Sequence, residues 1–416
     1  MLGAAVSWTL PIFLEKTFFM LDAAAADAPG QTPTGRDNTI LVVLQMAGGN
    51  DGLNTVVPHA DDAYYKARPV IGVQPGDVLI LDDLVGLHPG LTGLKALYDD
   101  GHLAIVQGVG YPNPDRSHFR STDIWQSATD ADRYDSHGWI GRYFDNSCQG
   151  ADPTVGVAIG SEMPMAFAGT NPTGIAFARP DQLRWAAGGG NREVDALFRD
   201  LNRPEETAAG ATIGAIGADG QRSGSTLDFL QRVALDAQIS ADKVSAIAGR
   251  FRAVAGYPSS PLGQNLGLVA RLIAGGLPTR VYYVSQGGYD THTQQIGTHD
   301  RLLADLGNSL AAFVKDLKAQ GNFDRVVLMT FSEFGRRVSQ NASNGTDHGA
   351  AAPLFVLGGN VKPGLYGRCP SLTELDRGDL IFNVDFRSVY ATVLEQWLKA
   401  PSEKILGRRF PLLPIV

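Results

Sequence analysis

Five short stretches of this 416-residue chain carry side chains suited to holding a divalent ion or moving a proton. "MAGGNDG" brings Asn50 and Asp51, "PDRSHFR" brings Asp115, Ser117 and His118, and "GGYDTH" brings Asp290 and His292. "FSEFG" brings Glu333, and "GTDHGAA" sets Asp347 beside His348. Mixed carboxylate and imidazole sets suit zinc, manganese or a similar divalent ion better than calcium alone. Each stretch also has a plain structural reading. Asp51 can be an ordinary helix cap or Asx-turn residue and Ser117 an ordinary N-cap, and Glu333 has Arg336 and Arg337 nearby for an ion pair. His118 reads equally as a packed surface histidine. The D-x-H spacing of "GGYDTH" reaches one ion only in an extended or turn conformation. His59, His88, His102, His137 and His299 have no comparable context and are read as structural. What raises the set above its members is their shared placement.

That placement follows from the elements. "NTILVVLQMAGGNDG" (38–52) reads as a strand covered on both faces that runs into a glycine-rich turn, and "HLAIVQGVG" (102–110) as a second such strand. Between them, Leu91, Leu94 and Leu97 mark a short helix. After the second strand, "YPNPD" is a turn and the chain from Ser117 onward is helical, which puts Ser117 near a helix N-terminus, where free amides favour anions. In the last third, helix, strand and polar loop repeat. "RVYYVSQ" leads to Asp290 and "RVVLMTF" leads to Glu333; between them Leu303, Leu306, Leu310, Phe313 and Leu317 recur at helical spacing. "PLFVLGG" is another buried strand, and Phe386, Val389, Tyr390, Val393 and Trp397 form a closing helical stripe. Alternating helices and apolar strands define an α/β fold with a mainly parallel sheet, and such sheets bind ligands outside the C-terminal ends of their strands. Four of the five stretches follow a strand, and the fifth leads into one. Residues 150–260 are weaker in pattern and read as a cap or insertion, with a glycine-rich loop at 207–226.

Composition narrows the function further. Hydrophobic residues make up 44% of the chain and charged ones 19%, enough for a large core. A net charge of −8 with no extended basic run disfavours a nucleic-acid partner. Cys148 and Cys369 stand far apart, which excludes a thiolate zinc site and favours two unpaired thiols over a disulfide. Neither a G-x-S-x-G elbow, nor a phosphate-binding P-loop, nor a dinucleotide fingerprint, nor an H-E-x-x-H helix is present. The first 28 residues are apolar and end in small residues, which reads as an export signal. No other stretch approaches the ~18 apolar residues of a membrane span.

Taken in order, "LVVLQMAGGNDGLNTVVP", "PDRSHFRSTDIW", "GGYDTHTQQ", "FSEFGRR" and "GTDHGAAAPLFVLGG" resemble an exported bacterial family that carries a domain of unknown function within the alkaline phosphatase/sulfatase superfamily. The likeness runs from about residue 38 to 400. It implies a three-layer α/β sandwich over 38–400, with helices on both faces of the sheet and the cap at 150–260. An export segment would precede it at 1–37 and a tail follow at 401–416. It implies Ser117 as an alkoxide nucleophile, Asp51 as a metal-bridging acid, Asp290, His292 and His348 on one ion and Glu333 on a second. Asn50, His118 and Asp347 would lie in or just behind the ligand set. One or two divalent ions follow, zinc first, with manganese, magnesium or calcium as alternatives. The implied function is hydrolysis of a small-molecule or polymeric phosphate or sulfate ester in the periplasm or at the cell surface. The chain departs from the pattern where Glu333 is followed by Phe334 in place of an Asp-His pair, and no twin arginine precedes the apolar segment, which reads as shortened. The lost histidine motivates the alternative, a non-catalytic binding or assembly protein of the envelope that keeps the fold.

Overall fold

A computed structural model describes residues 39–170, 174–180, 240 and 243–416. The expected export segment, the glycine-rich stretch 207–226 and much of the expected cap lie outside these residues.

The apolar runs become strands. β1 (Ile40–Ala47), β2 (Leu103–Gly110), β3 (Gly156–Ile159), β4 (Ile175–Phe177), β5 (Val281–Gly287), β6 (Val326–Phe331), β7 (Ala352–Gly358), β8 (Gly364–Tyr366) and β9 (Val384–Asp385) join in one sheet. Its order is β8-β2-β7-β6-β1-β5-β3-β4, with β9 also paired to β2. β1 lies inside the sheet, Leu41 facing Val281 of β5 on one side and Val327 of β6 on the other, both parallel. Among these strands β7 alone runs antiparallel, to β2 and to β6. That reversal matters for the site. The ends of β1, β2, β5 and β6 open on one edge, and the beginning of β7 lies on the same edge. The loop leading into β7 therefore meets the loops leaving the other four.

Helices cover both faces: α1 (Gly52–Thr55), α2 (Asp62–Ala67), α3 (Thr92–Asp99), α4 (His118–Ser127), α5 (Trp139–Ser147), α6 (Pro261–Ala274), α7 (Gln295–Ala319), α8 (Phe386–Thr392) and α9 (Ser402–Leu406). β1 is apolar at successive positions because both of its faces are buried. Ile40, Val42, Leu44 and Met46 join a core with Leu94 and Leu97 of α3, Leu266 and Val269 of α6, and Leu303, Leu306, Leu310, Phe313 and Leu317 of α7. Leu41 and Val43 join the opposite core with Trp125 of α4, Trp139 and Tyr143 of α5, and Phe386, Val389 and Tyr390 of α8. The period of two along the strand thus meets the helical period from above and below. The outcome is the expected α/β sandwich, with helices flanking a mainly parallel sheet. Ile405 and Ile415 are fully buried in the second core. Cys148 and Cys369 are free thiols, and burial pushes Cys148 up to about 11. No helix among the described residues is long and apolar enough to cross a membrane.

Candidate metal centre

Two glycines bring the first loop to the sheet edge. Gly48 has φ +119° and Gly49 φ +74°, and a Cβ on Gly48 would stand 2.5 Å from the Asp290 amide nitrogen. A Cβ on Gly49 would stand 2.2 Å from the Phe334 ring. The backbone after β1 therefore lies flat against the loops that carry Asp290 and Glu333, a packing that side chains at these positions would block. His118 arrives on the first turn of α4, whose N-cap is Ser117. His348 arrives from the loop into β7.

The side chains meet at one atom. Asp290 Oδ1 lies 3.1 Å from His292 Nε2, 3.3 Å from His348 Nε2 and 3.5 Å from His118 Nε2. His118, Asp290 and His348 each offer one ligand atom, and all three atoms fall within 4.8 Å of one another. The far nitrogen of each ring determines what the near one can do. His118 Nδ1 is 2.8 Å from Glu333 Oε1, His348 Nδ1 is 2.7 Å from the Arg116 carbonyl, and His292 Nδ1 is 3.3 Å from Asp347 Oδ1. All three partners are acceptors, so each Nδ1 carries a proton, and in the neutral form of each ring Nε2 is the atom with the lone pair. Three lone pairs and a carboxylate oxygen thus face one another. His292 Nε2 and His348 Nε2 stand only 2.9 Å apart, a contact that a cation or a shared proton must relieve. His118 Nε2 is buried and has no hydrogen-bond partner. The donor set fits a divalent ion, with each imidazole oriented from behind in the manner of histidine metal ligands.

One cation is already built in. Arg336 is 1% exposed, and its Nη2 lies 2.7 Å from Asp290 Oδ1. The same guanidinium donates to the carbonyls of Gly48, Gly49, Tyr289 and Thr346. Partial burial would raise the Asp290 carboxyl, but the Arg336 hydrogen bond and charge, with His348 and His292, outweigh it and hold it down to about 2. Desolvation lowers His348, opposed by its bond to the Arg116 carbonyl, so the ring stays neutral at pH 7.

The site residues read from the sequence fall into two groups. Asp290, His292, His348 and His118 come together directly, while Glu333 and Asp347 stand behind His118 and His292. Asp347, expected in or just behind the ligand set, stands behind His292, where its Oδ1 also accepts from Asn341. Glu333, a candidate ion-pair partner for Arg336 or Arg337, instead accepts from Gly48 N at 2.8 Å and from His118. Asp51 is held separately. It is fully buried, with Arg68 Nη1 2.6 Å and Gln295 Nε2 2.5 Å from its Oδ2, while its Oδ1 has no partner. Burial would raise this carboxyl, and the charge and hydrogen bond of Arg68 outweigh that and lower it. Asn50 bonds Thr55 and accepts from His299, a buried ring whose place here no local motif foretells. Ser117 is exposed at the head of α4, and its amide donates to Asp115 Oδ1 at 2.7 Å. Phe334, where a histidine was expected, is buried with its ring centroid 4.8 Å from that of His118 and 4.6 Å from that of His348. Arg68 and Gln295 were missed: Arg68 lies in none of the motifs, Gln295 ends "GGYDTHTQQ" without carrying a charge or an ordinary metal-ligand group, and only the tertiary fold brings them to Asp51.

Fold and site together define an α/β protein with a carboxylate–imidazole centre at the C-terminal edge of its sheet. The chain belongs to the family described as "Protein of unknown function (DUF1501)", whose profile matches residues 185–402. No curated protein matches it. Among solved structures, it is similar to a protein in the alkaline phosphatase superfamily from Vibrio parahaemolyticus, at 10% identity, covering 96% of this chain and 81% of that one with a TM-score of 0.41. A phosphonate monoester hydrolase from Silicibacter pomeroyi matches at 10% identity over 90% of this chain and 77% of the other, TM-score 0.39. A sulfatase from Pseudoalteromonas sp. matches at 11% identity over 90% and 70%, TM-score 0.38.

Proposed function

We propose that this protein is an exported hydrolase of phosphate or sulfate esters that works with a single divalent ion, zinc before manganese, magnesium or calcium. The observation that carries the ion is the convergence of three imidazole lone pairs on Asp290 Oδ1, each ring held from behind by an acceptor. The ester class and export rest on the motif resemblance. A bound ion would supply Lewis-acid stabilisation of an ester oxygen. The chain's own groups support the rest. The head of α4 offers free amides to an anion, and the exposed Ser117 hydroxyl is available there for in-line displacement, with a water as the other nucleophile. Arg336 adds a fixed positive charge against the charge that develops on the ester. A second ion is disfavoured, since Arg68 neutralises Asp51 and Glu333 is engaged by His118.

Metal analysis of the purified protein after zinc loading, with a screen of aryl phosphates and sulfates, tests this. About one ion per chain is expected, lost in Asp290→Asn, with ester turnover that Ser117→Ala abolishes if the serine attacks and leaves intact if water does. Failure to retain zinc, manganese or calcium, together with no turnover, overturns the reading. A second reading, a non-catalytic binding protein of the envelope, is favoured by one specific observation. Guanidinium groups already neutralise both Asp51 and Asp290. Stable folding with no bound metal and no ester turnover is its signature.

A further inference from the structure

Two more arginines stand beside the centre, and the chemistry above does not use their side chains. Arg116 immediately precedes Ser117, and its carbonyl holds His348 Nδ1. Arg337 follows Arg336, and its amide donates to the Asp347 carbonyl at 3.0 Å. Both backbones are thus tied to the loop that carries His348, while both side chains converge on one carboxylate. Arg116 Nη2 donates to Asp379 Oδ2, and Arg337 Nε lies 3.6 Å from Asp379 Oδ1. The Asp379 side chain is 3% exposed and each arginine side chain 37%. Asp376 and Arg377, on the same short hairpin, pair with each other and leave the local balance unchanged.

From this geometry we infer that Arg116 and Arg337 form an anion subsite beside the metal centre, which holds a second negatively charged group on the substrate. A guanidinium offers five donors in a planar fork. Two guanidiniums share the single Asp379 carboxylate here, so these three groups together carry one net positive charge with unused donors on their exposed side, and the Asp347 carboxylate, which Arg337 also attracts, is already engaged by His292 and Asn341. The chain as a whole carries −8, so a pair of arginines, one of them the immediate neighbour of the exposed serine, runs against the general field. Buried Asp379 fixes the two forks relative to the backbone of the centre, which gives the subsite a defined position. This rests on the ester-hydrolase reading of the same site and narrows it: the preferred esters carry a carboxylate, sulfate or phosphate in addition to the group that reacts.

Direct binding separates the two claims. Phenyl phosphate and 4-carboxyphenyl phosphate would be titrated by calorimetry into the zinc-loaded full chain, its Arg337→Ala variant and its Arg337→Lys variant. The extra carboxylate should tighten binding about tenfold in the wild type, the scale of one charge-assisted hydrogen bond. That advantage should vanish in Arg337→Ala and return in part in Arg337→Lys, with phenyl phosphate affinity little changed. Equal affinities of the two probes in the wild type, or an advantage that survives Arg337→Ala, overturn the subsite and leave the ester reading standing. Arginine-dependent binding of the carboxylated probe, with no binding of phenyl phosphate and no turnover, upholds the subsite and removes the ester reading. Binding of neither probe overturns both.

Discussion

At the scale of the residue, the centre is defined as much by what stands behind the histidines as by the histidines themselves. Each Nδ1 is committed to an acceptor, and that commitment presents Nε2 as a lone pair. Glu333 is the strongest of the three orienting groups, being 2% exposed and 2.8 Å from His118 Nδ1. Glu333→Gln keeps an acceptor oxygen for both Gly48 N and His118 but removes its charge. Zinc affinity should fall about 10- to 100-fold, as for other groups that orient metal-bound histidines, with little change in fold. Competition titration against a chelator, with a far-ultraviolet spectrum as control, measures it; unchanged affinity would mean that His118 is not a ligand. Phe334 belongs to the same scale. It lines the centre with an aromatic face between His118 and His348, contributing packing where a fourth imidazole was expected.

The element scale explains why distant side chains share one edge. Four strand ends open there because four strands are parallel, and His348 joins them because β7 alone runs the other way. The helices behind the sheet are held closely enough to fix those ends. Where α3 meets α7, a Cβ on Gly93 would lie 2.3 Å from the Gly307 carbonyl oxygen, whereas a Cβ on Gly307 would come no nearer than 3.3 Å to Leu91 Cα. The two substitutions should therefore differ in sign or size. Gly93→Ala drives two helix backbones apart and should cost roughly 1–3 kcal/mol, as overpacking does. Gly307→Ala should be near neutral, because the tight contact is offset by a helix-propensity gain of about 1 kcal/mol. Urea unfolding of the two variants decides; equal losses would mean that α3 and α7 pack differently. Much of this scale was legible. Continuous apolar runs and 3.6-residue stripes are local signals, so the strands leading to Asp51, Asp290 and Glu333 and the helix beginning after Ser117 could be read directly. The reversal of β7 could not be read, since a buried strand has the same composition in either direction.

For the whole molecule, the buried histidines set how stability depends on acid. Burial pushes His299 down to about 3, with Asp51 pulling the other way, and His88, His102 and His348 are lowered as well, each chiefly by burial. A histidine whose folded pKa lies below its unfolded value contributes full stability above about 6.5, and that contribution is lost as pH falls toward the folded value. For His299 the loss at pH 5 is on the order of 2 kcal/mol. Depressed carboxyls such as Asp290 act only at lower pH, below the ordinary carboxylate range. The melting temperature should therefore drop between pH 7 and pH 5 before the carboxylates titrate, and His299→Gln should flatten that slope. A wild-type melting temperature constant over this interval would show that His299 takes a proton as readily folded as unfolded. The sequence by itself determined the α/β class, the long strands β1, β2, β5, β6 and β7, the helices with a clear apolar stripe, and which short polar stretches carry the chemistry, because those depend on neighbours a few residues away; the short strands β3, β4, β8 and β9 carried no such signal. Only the tertiary structure decided how the side chains pair. Asp51 faces Arg68, Asp290 faces Arg336, and Glu333 stands behind His118. Those choices depend on charges brought together from distant parts of the chain, whose energies exist only once the sheet has closed over them.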